Sequence, residues 1–340
     1  LQAVKTGVAF HMAKDKEYSD GYQIVSDQLS LQHFVTGAIG GRSTKQNRGV
    51  LLGARNIPDE AIQKRLEEIS QYSALDDLSS ADMDILWRYR TSCISQPTLL
   101  PRFLRAVDWM SREQVLEART LMLVWKTCLP EDSVELLDIL YCDSVVREYA
   151  VQRLEELSDM ALEDILLQLV QVLKYEPHHD SALARFLLRR GLMSPLKIGH
   201  KLFWMLYSEL HLPIVQERFG LLVVVYLLNL GPYSESLRMQ CLVNDSLQEI
   251  AQDIKLEPNK KKRLEKAIAT LGLFDKVLRT LPPFCLCLTP KLLLRGIRVS
   301  KCKVMESKKM PLWLVFENVD PRQPDFNVIF KDGDDLRQDQ

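Results

Sequence analysis

Residues 161–175 read ALEDILLQLVQVLKY. Leu162, Ile165, Leu166, Leu169 and Leu173 recur at three- and four-residue steps, which places them on one face of an α-helix. A face that apolar needs a neighbour to cover it, and the flanking sequence supplies neighbours of the same kind. Short breaks at 128–132 (CLPED), 141–144 (YCDS), 175–180 (YEPHHD), 191–195 (GLMSP) and 211–213 (HLP) separate further helical segments. Segments of roughly 10 to 20 residues with such short breaks suit helix pairs stacked on one another.

Working outward, PDEAIQKRLEEIS at 58–70 puts a proline at a helix start, and SSADMDILWRYR at 79–90 places Asp82 three positions after Ser79, the spacing of a capping box. Downstream, FGLLVVVYLLNL from Phe219 to Leu230 is shorter than the about 18 to 20 apolar residues of a membrane span and reads as a central core helix. The helical block is expected to run to about Arg279, where the three prolines of LPPFCLCLTP end it. Asp180, between His179 and an apolar helix, reads as its N-cap rather than as part of a metal site.

Beyond Pro290 the period drops toward two. IRVSKCKVM (297–305), parts of PLWLVFEN (311–318) and FNVIFK (326–331) read as three strands of an antiparallel meander, with ESKKM as the turn between the first two. Residues 1–56 are mixed, with short apolar groups such as GVAF and GVLLG and no sustained period. The expected fold is therefore mainly α, an α-solenoid (an armadillo-like superhelix of helical pairs), followed by the antiparallel β start of an α+β domain. The chain reads as clipped at both ends, since Leu1 is not an initiator methionine and LRQDQ opens a helix that does not continue.

Composition narrows the function. The 340 residues carry 44 Lys and Arg against 45 Asp and Glu, a net charge of −1, so no global field draws the chain to nucleic acid or an anionic membrane. Seven cysteines stand without paired metal-ligand spacing or the density of a secreted disulfide framework, which points to a reducing, intracellular compartment. The run NKKKRLEK at 259–266 reads as a solvated helix face.

Three features near the end of the chain could carry chemistry. Lys331 follows an apolar strand, where an ammonium can reach phosphate oxygens as a compact charge or simply snorkel at a sheet edge. Ser307, Lys308 and Lys309 occupy the strand-to-strand turn, whose exposed amides and hydroxyl can cradle an anion or merely form a polar hairpin tip. Asp334, Asp335 and Asp339 surround a helix start, where caps are the ordinary reading.

Taken together, CKVMESKKMPLWLVFENVDP (302–321) and VIFKDGDDLRQD (328–339) closely resemble the start of the catalytic domain of the phosphoinositide 3-kinases, class I in particular. LLQLVQVLKYEPHHDSALARFLLRRGL (166–192) and KIGHKLFWMLYSELHLPIVQERFGLL (197–222) are similar to the helical domain of the same kinases. The resemblance runs from about Ile57 onward. It implies a helical accessory domain at 57–290 and the start of the lipid-kinase N-lobe at 291–340, while a lipid-binding β-sandwich tail and linker would occupy 1–56. It also implies an enzyme that transfers the γ-phosphoryl of ATP to the 3-hydroxyl of a phosphatidylinositol phosphate, such as the 4,5-bisphosphate, in signalling at the cytoplasmic face of the plasma membrane.

For single residues the resemblance implies the following. The turn from Met305 to Lys309 would cover the ATP phosphates with Ser307 facing them, and Lys331 would pair with the phosphates. Met305, Pro311 and Trp313 would line the adenine side, and Asp339 would stand at the back of the pocket. Met310 occupies a place that is often basic in the family. The catalytic loop and the magnesium ligands of the family lie beyond Gln340, so magnesium would accompany ATP without a ligand in this chain, which by itself is not expected to catalyse. Asp77, Asp82 and Asp84, around the cap before Trp87, match an acidic loop that meets a regulatory adaptor subunit in class I enzymes, with Ser80 where a second acidic contact often stands; a small GTPase would bind through other domains. The rival readings are a non-catalytic α-solenoid scaffold, which leaves Lys331 and Ser307 unexplained, and a related kinase of the same superfamily, against which the helical stretches argue.

Overall fold

The structure, a computed structural model, describes residues 56–307 and 309–333. The sandwich tail and linker expected at 1–56 therefore lie outside the described residues apart from Asn56, as do Lys308, Asp334, Asp335, Asp339 and Gln340. The chain divides into two compact units, one ending at Glu156 and the other beginning at Leu157.

Among the described residues the first unit contains seven α-helices: α1 (Glu60–Ser70), α2 (Ser80–Arg88), α3 (Arg90–Cys93), α4 (Leu99–Arg105), α5 (Arg112–Val124), α6 (Pro130–Ser133) and α7 (Ser144–Leu154). Each of the longer ones starts on a polar cap, which satisfies amides the helix itself leaves unpaired. Asp59, not Pro58, caps α1 by accepting from the backbone N–H of Ile62. Ser79 and Asp82 form the expected capping box on α2. Packing runs between near neighbours in sequence, α1 with α2 and α4, and α6 with α7. Leu66, Ile69, Leu86, Phe103 and Leu104 are buried between these elements. Trp87, Phe103 and Trp125 stack in series at centroid distances of 6.0 and 5.1 Å.

In the second unit α8 (Asp159–Val172), α9 (Ala182–Met193), a π-turn (Pro195–Gly199), α10 (His200–Tyr207) and α11 (Pro213–Asn229) again pack on sequence neighbours. The apolar stripe of 161–175 is the buried one: Leu162, Leu166, Leu169 and Leu173 are all inaccessible. The cap of α9 is Ser181, which accepts from the N–H of Ala184; Asp180, expected there, is displaced by one residue and pairs instead with Arg185 at 2.5 Å. Gly199 is required by a close approach, because a Cβ there would stand 1.9 Å from the Tyr226 hydroxyl.

The FGLLVVVYLLNL run corrects one expectation. It lies in α11, but α11 is not a central helix: Phe219, Leu222, Val223 and Tyr226 are buried, whereas Leu221, Val224, Val225 and Leu228 are exposed. At about 100° per residue an apolar run covers the whole circumference, and only one side meets α9 and α10.

The remaining helices, α12 (Tyr233–Lys255) and α13 (Lys260–Leu278), share one core with a five-stranded antiparallel sheet. Its strands are β1 (Phe284–Leu286), β2 (Thr289–Ile297), β3 (Lys303–Val304), β4 (Leu312–Asn318) and β5 (Phe326–Phe330). Val243, Leu247 and Ile254 of α12 and Leu271, Phe274 and Leu278 of α13 pack with Phe284, Leu294, Ile297, Leu312, Leu314 and Phe316. The boundary expected between 290 and 291 thus falls inside β2, and the proline-rich LPPFCLCLTP is not a plain break but the β1–β2 hairpin. Pro282 and Pro283 end the helical run, while Pro290 is tolerated in β2 because pairing with β4 begins only at Leu294.

IRVSKCKVM is also not one continuous strand. A 3₁₀ turn at Val299–Lys301 interrupts it, leaving β2 and β3 on the same edge of β4, opposite Phe316 and Leu312 respectively. β5 lines the other edge from Leu312 to Phe316.

Candidate functional site

Strand register builds the site. Val304, Leu312 and Phe330 lie side by side across β3, β4 and β5, and the next row toward β4's interior is Lys303, Trp313 and Ile329. Since side chains alternate along each strand, the two rows point to opposite faces. Val304, Leu312 and Phe330 join the core under α12 and α13. Lys303, Trp313 and Ile329 look the other way, where Lys303 and Ile329 are exposed and Trp313 is half-buried.

One residue beyond the strand ends, the N–H of Met305 donates to the carbonyl of Pro311 at 2.8 Å, extending the ladder. Met305, Pro311 and Lys331 therefore form the next row, on the side of Trp313 and Ile329. Three of the positions expected to line an adenine pocket and the expected phosphate lysine are brought to one end and one face of the sheet. Pro311 is buried; Met305 and Ile329, 39% and 46% exposed, give that face an open apolar floor. Ile329, which the resemblance does not single out, joins them on this face through its two-residue spacing from Lys331 in an alternating strand.

Between β3 and β4 the chain turns on Ser307 and Lys309, closed by the N–H of Met310 donating to the Ser307 carbonyl at 3.1 Å. Met310 has φ 47°, the left-handed region, where a side chain crowds its own backbone. The bend keeps Ser307 and Lys309 at the exposed tip while returning Pro311 to the ladder. Lys309 Nζ donates to the Gly333 carbonyl at 3.0 Å, joining this turn to the Asp332–Gly333 turn that follows Lys331.

The acidic groups nearby are paired. Glu306 meets Lys260 of α13, and Asp332 meets Lys255 of α12 at 2.7 Å. These lysines hold both carboxyls below their ordinary range, Lys255 being the main cause for Asp332. With those two carboxyl charges offset, neither Glu306 nor Asp332 opposes an anion at this end of the sheet. Among the described residues no group of three or more His, Cys, Asp and Glu stands together that could hold a metal ion. Asp339 lies outside the described residues.

In the first unit, the three acidic residues grouped as adaptor contacts separate. Asp77 and Asp84 are exposed, with Ser80 beside them. Asp82 is 3% exposed, and its carboxylate accepts from Arg65 Nε and Nη2 at 2.8 and 3.0 Å as well as from Ser79. The capping geometry that made Asp82 conspicuous turns it inward, so it is not available to a partner at this surface. Among the described residues no helix is long and apolar enough to cross a membrane.

Comparison with known proteins bears on the family of the chain. The profile of the phosphoinositide 3-kinase family accessory domain (PIK domain) matches residues 54–238. Phosphatidylinositol 3-kinase 2 of Dictyostelium discoideum is 40% identical over 284 residues, 83% of this chain and 15% of that protein. Phosphatidylinositol 3-kinase 1 of the same organism is 39% identical over 320 residues, 93% of this chain and 20% of that protein. Phosphatidylinositol 3-kinase 3 is 35% identical over 280 residues, 81% and 16%. The chain thus spans between 15% and 20% of the length of these relatives, and all three alignments leave less than a fifth of it uncovered.

Proposed function

The chain belongs to the phosphoinositide 3-kinase family, and from that premise we propose that it supplies the accessory helices and the nucleotide-facing part of the N-lobe to a lipid kinase. The reaction is transfer of the ATP γ-phosphoryl to the 3-hydroxyl of a phosphatidylinositol phosphate, with the 4,5-bisphosphate as substrate and magnesium bound with ATP. Adenine lies on the floor of Met305, Trp313 and Ile329 beside Pro311. The amides of the Ser307–Lys309 turn and the ammonium of Lys331 face the phosphates, and Asp339, outside the described residues, is assigned the back of the pocket by the family resemblance. Charge neutralisation and positioning, rather than covalent chemistry, lower the barrier in phosphoryl transfer. The protein works on the cytoplasmic face of the plasma membrane, and exposed Asp77 and Asp84 are the surface offered to a regulatory subunit.

The observation that carries this reading is the register that sets Met305, Pro311 and Lys331 in one row beside the Ser307 turn. The test uses the polypeptide extended to the length of its relatives, so that all parts of the reaction are present. Lys331→Arg is expected to lower lipid phosphorylation by about a hundred- to a thousand-fold, the usual cost of one stabiliser of developing phosphoryl charge, because a planar guanidinium does not replace a compact ammonium. Ser307→Ala is expected to cost less, since the turn amides remain. Turnover by folded Lys331→Arg at the wild-type rate would overturn the proposal.

A further inference from the structure

Lys255 is the last residue of α12, and Asp332 directly follows Lys331. Lys255 Nζ donates to Asp332 Oδ2 at 2.7 Å and to the Asp332 carbonyl at 2.9 Å, and Gln252 Nε2 approaches Oδ1 at 3.4 Å. The two charged side chains are 25% and 11% exposed. The second lysine contact in this region, Lys260 with Glu306, is by contrast 76% exposed on both sides. A shielded pair with two bonds keeps attraction that water and salt remove from an open one. The position also suits the helix, whose C-terminal end favours a cation.

Two consequences follow for the neighbouring residue. An ionised carboxylate beside Lys331 would repel an incoming triphosphate, and Lys255 offsets that charge. By holding the carbonyl as well as the carboxylate, Lys255 also fixes both ends of Asp332, the residue after Lys331, and with its carbonyl the Asp332–Gly333 peptide unit by which the chain leaves β5. On its other side the same turn accepts Lys309 through the Gly333 carbonyl, so the phosphate turn is docked on a support that α12 holds in place.

We infer that Lys255 is a positioning residue of the nucleotide site: its paired grip on Asp332 aligns Lys331 and seats the Ser307–Lys309 turn for the phosphates. The inference rests on the ATP reading proposed above. It assigns part of the nucleotide affinity to a helix whose Val243, Leu247, Ala251 and Ile254 serve the hydrophobic core.

The test compares Lys255→Met, Lys255→Arg, Asp332→Asn and Lys331→Arg in the extended polypeptide. The readouts are KM for ATP, kcat, melting temperature and the rate at which a lysine-directed electrophile labels Lys331, with and without ATP. Lys255→Met is expected to reduce kcat/KM for ATP roughly tenfold, mainly through KM, the size of one lost charge-assisted contact, and to change Lys331 labelling, beyond any fall in melting temperature that loss of the shielded pair brings. Lys255→Arg should recover most of the loss. In the Asp332→Asn background Lys255→Met should cost less, because the two residues act as a pair. Unchanged KM and labelling in Lys255→Met, or a lower melting temperature with both unchanged, would overturn the positioning role while inactive Lys331→Arg left the ATP reading standing. An active Lys331→Arg enzyme would remove the ATP reading itself and this inference with it.

Discussion

Asp275 Oδ1 accepts the backbone N–H of Ile297 at 2.7 Å, so a carboxylate of α13 completes the hydrogen bonding of β2 at its last residue. The other oxygen of Asp275 holds Arg279 at 2.8 Å, and Arg279 reaches Glu317 of β4 at 2.9 Å. The helix and the sheet are thereby joined by directional contacts at the rim of their shared apolar core. Buried polar groups demand partners, and here the strand's partner comes from the helix.

Gly296 makes that contact sterically possible. A Cβ at this position would stand 2.5 Å from Asp275 Oδ1 and 3.1 Å from the Arg279 guanidinium carbon. Gly296→Ala should therefore destabilise the second unit by about 1–3 kcal/mol, the range for an overpacked site. Chemical denaturation followed by fluorescence reads the change. An Asp275→Ala background should reduce the cost of Gly296→Ala, and equal costs in both backgrounds would show that the clash lies elsewhere.

Asp82 gives the first unit an acid-sensitive joint. Its carboxyl is held below the ordinary range chiefly by Arg65, with Ser79 adding to the effect and burial opposing it. A depressed folded-state value means that the stabilisation is complete above the unfolded value of about 3.9 and is lost as pH falls through the folded one. Asp82→Ala should cost about 1.5–3 kcal/mol at neutral pH, as expected for a hydrogen bond to a charged group, and should flatten the acid limb of the stability profile. A mutant whose acid limb superimposes on the wild type would contradict this account.

His200 is buried between α10 and α12, with Nε2 2.9 Å from Gln240 Oε1; the same oxygen accepts from Trp204 Nε1 at 3.0 Å. The amide oxygen is an acceptor, so the ring donates through Nε2. Burial lowers the His200 pKa, with Lys201 acting in the same direction and the Gln240 bond opposing. Stability from this group is complete above the unfolded value of about 6.5 and declines as pH falls below it toward the lowered folded value. Thermal melts of the wild type between pH 7 and pH 5 should show that decline, and His200→Gln should remove most of the slope even if it lowers stability at every pH.

Substitutions on α11 should separate its two faces. Leu222→Ala, at a buried site, is expected to cost about 2–5 kcal/mol. Leu228→Gln, at a position 78% exposed, should change stability by no more than about 0.5 kcal/mol. Urea denaturation of the two variants decides whether the exposed stripe contributes to folding; a large loss in Leu228→Gln would mean that this side of α11 is covered.

What the sequence determined by itself was local. The three- and four-residue steps of Leu162, Leu166, Leu169 and Leu173 required a helix with one buried face, and Ser79 with Asp82 required a capped start, because both patterns depend only on backbone geometry within a few turns. The two-residue alternation of 311–318 and 326–331 likewise placed β4 and β5, with the Ser307–Lys309 turn ahead of them. Tertiary structure decided what the local patterns left open. It put one side of α11 against neighbours and left Leu228 outside, turned Asp82 inward onto Arg65, and converted LPPFCLCLTP into a hairpin sharing a core with α12 and α13. It also brought Lys255, 76 residues before Lys331 in sequence, to the residue that follows it. Periodicity specifies which face of an element is apolar, but which surface covers it, and which charges meet across the gap, depends on contacts between residues too distant in sequence for any local pattern to record.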